Sequence, residues 1–253
     1  MSDSDIELAR RTIALLDLTD LTDDAAADGI ARLCERAARY GTAAVCVWPD
    51  FVAQSVAALD GTAVLVASVV NFPSGDDRPH AVRVLTERAL DDGADEIDVV
   101  LPYRAWVAGD ERRAADVIDG VRQAASAVRM KVILETGALP DIASIERAAR
   151  FAIEHGADFV KTSTGKIGVS ATPEAAETML RVIAKTDRPV GIKPSGGIRT
   201  SAEAAIYLDL ADEIMGPDWV SPATFRFGAS GVLDALVAAL DGRLLEPADS
   251  ASY

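Results

Sequence analysis

Short β-branched runs alternate along this chain with longer alanine-rich stretches of helical period. Strands are predicted at Ala43–Trp48, Val64–Val70, Glu96–Leu101, Lys131–Glu135, Asp158–Thr162, Val190–Lys193, Glu213–Gly216 and Thr224–Gly228. Several are almost wholly apolar, as strands covered on both faces are. Helices are predicted at Pro79–Asp92, Asp110–Val128, Asp141–His155, Pro173–Lys185, Ser201–Leu210 and Ala229–Leu240, several with Ser, Thr or Asp at the start and Gly after the end. Thr172-Pro173-Glu174 reads as a cap, a proline in the first turn and an acid at the positive end of the helix dipole. An amphipathic leader, Ile6–Leu16, precedes the first strand, and the polar tail 246–253 is expected to be mobile.

Three helix–strand junctions read alike, around Gly93-Ala94-Asp95, Gly156-Ala157-Asp158 and Ala211-Asp212. This weak repeat and the alternation of elements predict one (β/α)8 barrel spanning 1–253. A doubly wound open sheet is the alternative, but no GxGxxG follows the first strand.

Composition narrows the function. The 40 acidic residues against 25 basic ones give a formal charge of −15, which argues against nucleic acid or an anionic membrane as partner. Residues 1–12 show no apolar signal-peptide core, and no apolar run is long enough for a membrane span. Cys34 and Cys46 lack metal or redox spacing, and two lone thiols fit a reducing cytoplasm.

The informative charges lie inside strands. Lys161, in DFVKTSTGK, and Lys193, in VGIKPSGG, each end an apolar strand, and the C-terminal strand ends are where barrel enzymes place their chemistry. The chain holds only five lysines among its 25 basic residues, and three of them, Lys161, Lys166 and Lys193, fall in these two motifs. Lysine, unlike arginine, loses its proton when desolvated or set beside another cation, and a neutral amine attacks carbonyls to form a Schiff base. Snorkelling or pairing with acids is the competing reading for a single strand lysine; two lysines with Gly/Ser loops favour chemistry. Asp98, inside IDVVLP, needs a partner and suits proton transfer, although a structural ion pair explains it as simply. For Asp17, in LDLT, a helix cap is the simplest reading.

Gly-rich turns at Thr164-Gly165-Lys166, Gly196-Gly197-Ile198-Arg199 and Gly228-Ala229-Ser230-Gly231 offer backbone N–H groups to an anion, with Lys166 and Arg199 adding charge. His80 and His155 have no metal or triad spacing, Cys46 reads as a small core residue, and Trp48, Trp106 and Trp219 as packing residues.

Together these motifs resemble the 2-deoxyribose-5-phosphate aldolases, a family of class I aldolases with a (β/α)8 fold. The matching runs are LLDLT (15–19), AAVCVWP (43–49), VVNFPSG (69–75), GADEIDVVLPYRA (93–105), KVILETG (131–137), GADFVKTSTGK (156–166), GIKPSGGIRT (191–200) and FRFGAS (225–230), in order and nearly end to end. The resemblance implies that Lys161 forms the Schiff base. It makes Lys193 the lysine that lowers the pKa of Lys161 and relays protons, and Asp98 the relay carboxylate. It places Asp17 and Thr19 in the substrate pocket, and Lys166, Gly196, Gly197, Arg199 and Ser230 at the phosphate. Tyr253 matches a terminal tyrosine that enters the site. Gly231 stands where a second serine often follows FGAS, which removes a hydroxyl but keeps a backbone N–H. The implied reaction interconverts 2-deoxy-D-ribose 5-phosphate with D-glyceraldehyde 3-phosphate and acetaldehyde, without metal or organic cofactor, in the cytoplasm, and a homodimer is among the assemblies it implies. A different Schiff-base lyase and a non-catalytic phosphosugar-binding barrel are the rival readings.

Overall fold

The computed structural model describes residues 3–241. Eight parallel strands form one sheet: β1 (Leu16–Asp20), β2 (Ala44–Val47), β3 (Leu65–Val70), β4 (Glu96–Val100), β5 (Arg129–Ile133), β6 (Phe159–Lys161), β7 (Gly191–Lys193) and β8 (Phe227–Ala229). Neighbours follow chain order from β1 to β7, and β8 returns to β1 with Asp17 opposite Gly228. Bridges Ile192–Phe225 and Ser195–Gly228 join β7 to the β8 segment and close the ring. This is a (β/α)8 barrel.

Helices cover the outside: α1 (Asp3–Ile13), α2 (Ala27–Tyr40), α3 (Val52–Ala58), α4 (Pro79–Asp91), α5 (Tyr103–Val107), α6 (Glu111–Ala124), α7 (Ile142–Glu154), α8 (Pro173–Ile183), α9 (Ser201–Met215) and α10 (Val232–Leu240). Their starts follow local chemistry. The Asp110, Asp141 and Thr172 side chains accept backbone N–H groups at the starts of α6, α7 and α8, and Thr200 with Glu203 forms a reciprocal capping box on α9. Buried Ala, Val and Ile rows on α6, α7 and α8 pack on the sheet, so its strands are apolar on their outer face as well.

Two expectations are corrected. Glu213–Gly216 is not a strand: its first three residues complete α9, whose buried face continues through Leu208 and Ala211, and Gly216 ends the helix at φ 95°. The missing strand is β1, Leu16–Asp20, whose two acids and threonine conceal it as a barrel strand. Asp17 therefore lies within β1, not in a helix cap.

The barrel interior depends on glycine at two places. Side chains two apart on a strand share a face, so Gly191 lies below Lys193 and Gly228 above Arg226. A Cβ on Gly228 would stand 2.6 Å from Ser195 Oγ and 3.0 Å from Lys193 Cε, so this glycine leaves room for the Lys193 side chain. A Cβ on Gly191 would lie 2.4 Å from the Phe159 ring and 2.6 Å from the Thr224 carbonyl oxygen. Gly191→Ala is therefore expected to overpack the barrel and cost about 1–3 kcal/mol, read as a lower midpoint in denaturant unfolding.

Candidate active site

Parallel register brings the strand charges together. It sets Asp98 on β4 opposite Lys131 on β5, and Lys161 on β6 opposite Lys193 on β7. The side chains of Asp17, Asp98, Lys131, Lys161 and Lys193 converge inside the barrel, each almost completely shielded from solvent. Asp98 Oδ2 accepts from Lys161 Nζ at 3.0 Å and from Lys193 Nζ at 2.8 Å, and Asp98 Oδ1 accepts from Lys131 Nζ at 2.7 Å. Lys193 Nζ also lies 2.5 Å from Asp17 Oδ2, and Arg226 donates to Asp17 Oδ1 at 2.6 Å. Glu96 completes the floor, 2.6 Å from Lys131 Nζ and 3.0 Å from Arg226, with Arg129 reaching it from the barrel's lower edge.

The two strand-end lysines are pushed in opposite directions. Burial disfavours the ammonium of both. Lys161 has one carboxylate contact, shared with Lys193, so burial and the Lys193 cation hold its pKa below the ordinary lysine value. At Lys193 the same burial is outweighed by Asp17 and Asp98, which hold it above that value. Asp98 and Asp17 stay ionised despite burial: Lys131, Lys193 and Lys161 hold Asp98 well below the usual carboxylate range, and Lys193, Arg226 and Lys131 lower Asp17. A lysine with a lowered pKa beside a firmly held cation and an ionised carboxylate is the arrangement that nucleophilic amine chemistry with proton transfer requires.

An apolar wall flanks this centre. Leu21, Cys46, Ala67 and Val69 pack with Trp48 and Phe72 in a cluster separate from the main core, and the Trp48 and Phe72 rings meet edge to face at 5.4 Å. Cys46 is a buried packing residue, as expected; burial raises its thiol pKa. Thr19, half-buried on β1, donates to the Asp17 carbonyl.

The Gly-rich turns meet at the rim. Gly165, Gly196 and Gly197 adopt left-handed backbone, with φ of 78°, 83° and 81°. A Cβ on Gly196 would lie 3.1 Å from Gly165 Cα and 2.6 Å from Ser170 Oγ, so the loops after β6 and β7 touch backbone to backbone. Gly197, Arg199, Ser230 and Gly231 are exposed, and Gly231 opens α10. Lys166 Nζ lies 3.2 Å from Asp23 Oδ1 on the loop after β1. Gly228, grouped by sequence with the anion turns, belongs to the barrel wall. Tyr253 lies outside the described residues.

Four charged residues of this site are not among the sequence candidates: Lys131, Glu96, Arg226 and Glu135. The first three carried the same signal as Lys161, a charge amid apolar strand residues, and EID and FRF already place their charges on one strand face. Glu135 follows β5 with left-handed backbone (φ 55°) and a buried side chain that accepts from the Thr164 backbone N–H at 3.2 Å and from its hydroxyl. Thr164 Oγ1 in turn accepts from the Lys166 N–H at 3.1 Å, so Glu135 orders the loop that presents Lys166. Burial raises the Glu135 pKa.

Fold and site together describe a (β/α)8 barrel with a buried cluster of lysines and carboxylates inside its ring. The sequence matches the profile of the DeoC/LacD family aldolases over residues 11–216, and the chain belongs to that family. A deoxyribose-phosphate aldolase from Agrobacterium fabrum is 54% identical over 251 residues, covering 97% of this chain and 96% of that protein. Among solved structures, a provisional deoxyribose-phosphate aldolase from Toxoplasma gondii superposes with a TM-score of 0.88 at 28% identity, covering 94% of this chain and 96% of the other. The tetrameric enzyme of that name from Aeropyrum pernix, at 24% identity and a TM-score of 0.76, covers 94% of this chain and 98% of its own and shares the fold.

Proposed function

We propose that this chain is a deoxyribose-phosphate aldolase that joins acetaldehyde to D-glyceraldehyde 3-phosphate, and cleaves the product, through a Schiff base on Lys161. The observation that carries the reading is the contrast between the two facing lysines, one poorly neutralised and one held by two carboxylates. Neutral Lys161 Nζ attacks the acetaldehyde carbonyl carbon, and the oxygen takes up a proton to give a carbinolamine. Loss of water leaves an iminium, the electron sink of the reaction. A methyl proton passes to the relay of Asp98, Lys193 and water, giving an enamine. Its nucleophilic carbon attacks the aldehyde of glyceraldehyde 3-phosphate, whose oxygen takes up a proton, and water hydrolyses the new iminium to free the amine and the product aldehyde. Lys193, a cation in the resting enzyme, also keeps Lys161 from being protonated between turnovers.

The turns at Gly165, Gly196–Gly197 and Ser230–Gly231, with Lys166 and Arg199, are the proposed phosphate seat; Asp17 and Thr19 border the sugar. Asp23 is an exposed partner that a phosphate can replace at Lys166. Lys166→Met is expected to raise KM for glyceraldehyde 3-phosphate by about 10-fold to 100-fold, the loss of one charged hydrogen bond. The same variant should leave kinetics with unphosphorylated glyceraldehyde within about twofold, which steady-state assays on both acceptors would check. Among the described residues no helix is long and apolar enough to cross a membrane. The free, buried Cys34 and Cys46 support a cytoplasmic enzyme.

The deciding experiment incubates the protein with acetaldehyde and borohydride and maps the reduced adduct by peptide mass spectrometry. An ethyl group on Lys161 is expected. An adduct on another lysine overturns the assignment of the nucleophile, and phosphosugar binding with no adduct at all would leave a binding protein.

A further inference from the structure

The proposed reaction uses Lys161, Lys193 and Asp98 and leaves a third buried lysine unexplained. Lys131 is fully buried one strand away, and its amine contacts Glu96 at 2.6 Å, Asp98 at 2.7 Å and Asp17 at 3.6 Å. A core at that depth accommodates an apolar side chain more readily than a charge. The contacts of Lys131 show what the charge does. It binds Asp98 Oδ1, the oxygen turned away from the catalytic lysines, while Oδ2 is divided between Lys161 and Lys193.

The ion-paired interior holds four buried cations, Lys131, Lys161, Lys193 and Arg226, and three buried carboxylates, Asp17, Glu96 and Asp98. Arg129, partly exposed, adds to the positive side, and buried Glu135 stands outside these pairs, bound by Thr164. Carboxylate contacts are unequally shared: three at Lys131, two each at Lys193 and Arg226, one at Lys161. Burial taxes every uncompensated charge, so the surplus proton leaves from the cation with the fewest partners, Lys161.

We propose that Lys131 is a positioning residue that keeps Lys161 in its amine form by claiming Asp98 Oδ1 and the negative charge it carries. The proposal rests on Lys161 being the Schiff-base lysine. The other titratable groups acting on Lys161 are Cys46 from β2, Asp98 from β4, Glu135 after β5 and Lys193 from β7, with Asp17 from β1 and Arg226 beside β8 behind Lys193; β3 contributes none. Of these, Asp98 attracts a proton to Lys161 most directly, and Lys131 is the cation that withdraws it from the opposite side. Without Lys131, Asp98 would turn its full charge to Lys161 and Lys193, and Lys161 would hold its proton to higher pH.

The test measures the rate of the Lys161 adduct with acetaldehyde and cyanoborohydride, by mass spectrometry, from about pH 5 to about pH 10. It compares the wild type with Lys131→Met, Glu96→Gln and the double variant. The midpoint of the pH dependence is expected to rise by about one pH unit or more in Lys131→Met, the scale of one nearby charge. It should fall in Glu96→Gln, which removes a carboxylate, and return toward wild type in the double variant. Merely losing a packed side chain would not produce opposite shifts or a compensating double change. If Lys131→Met alone does not fold, the comparison of Glu96→Gln with the double variant decides, the double having the higher midpoint. Adducts on Lys161 with one midpoint in all folded variants would overturn this role for Lys131 while leaving the aldolase reading intact. No Lys161 adduct even in the wild type would overturn both.

Discussion

Lys161→Arg is expected to abolish aldolase turnover, with kcat falling by about four orders of magnitude or more. The arginine places a permanent charge beside Asp98 and cannot give up its proton, so no free electron pair is available to attack acetaldehyde. Lys161 is 2% exposed, and the larger guanidinium has to fit a packed site. Lys161→Met, of similar length and neutral, separates the loss of chemistry from disturbed packing. Lys161→Met should unfold near the wild-type temperature, and neither variant should give an ethyl adduct at this position. Aldol activity within about tenfold of wild type in either would mean that another group is the nucleophile.

Lys193→Leu is expected to reduce kcat/KM at neutral pH by about 10²–10⁴-fold, the range of a lost proton-transfer group. The same variant should move the acidic limb of the pH–rate profile to higher pH. The direction follows from the contacts. Lys193 is a cation that repels a proton from Lys161 and draws negative charge from Asp98 Oδ2. With it gone, Asp98 holds the Lys161 ammonium, the Lys161 pKa rises, and the free amine at a given pH falls about tenfold for each pH unit of the change. Activity lost through this cause returns as the pH is raised; activity lost through the missing relay does not. Asp17 keeps Arg226 but loses its 2.5 Å partner, and breaking a buried pair costs about 3–5 kcal/mol. The profile should therefore be recorded with unfolding curves at each pH. A folded Lys193→Leu protein with the wild-type acidic limb would refute the coupling of the two lysines.

These effects were unequally legible in the chain. Lys161 and Lys193 stood out because lysine is scarce here and each ends an apolar run. Lys131 carries the same signature, but it opens its run, so it reads as the polar edge of a strand. Its depth depends on how far β5 is staggered against β4, and the Asp98–Lys131 register shows this only once the strands are paired. Asp17 is the reverse case. A short segment with two acids looks like a turn and cap until β8 and β2 pair on either side of it. Four residues such as EIMG suit the end of a helix and a buried strand equally well, and only the continuing buried face of α9 decides between them.

By itself, the sequence determined the alternation of elements, the caps that begin α7 and α8, and the two lysine motifs, because periodicity, capping and solvation are local properties of a few neighbouring residues. It also carried the family resemblance from residue 15 to residue 230. The tertiary structure alone decided which charges share a partner. Closing eight tilted strands into a ring brings residues as far apart as Asp17 and Arg226 within 2.6 Å, and it leaves Lys161 with one carboxylate where Lys131 has three. A buried lysine's proton is governed by the charges within a few ångströms of it, whatever their distance along the chain.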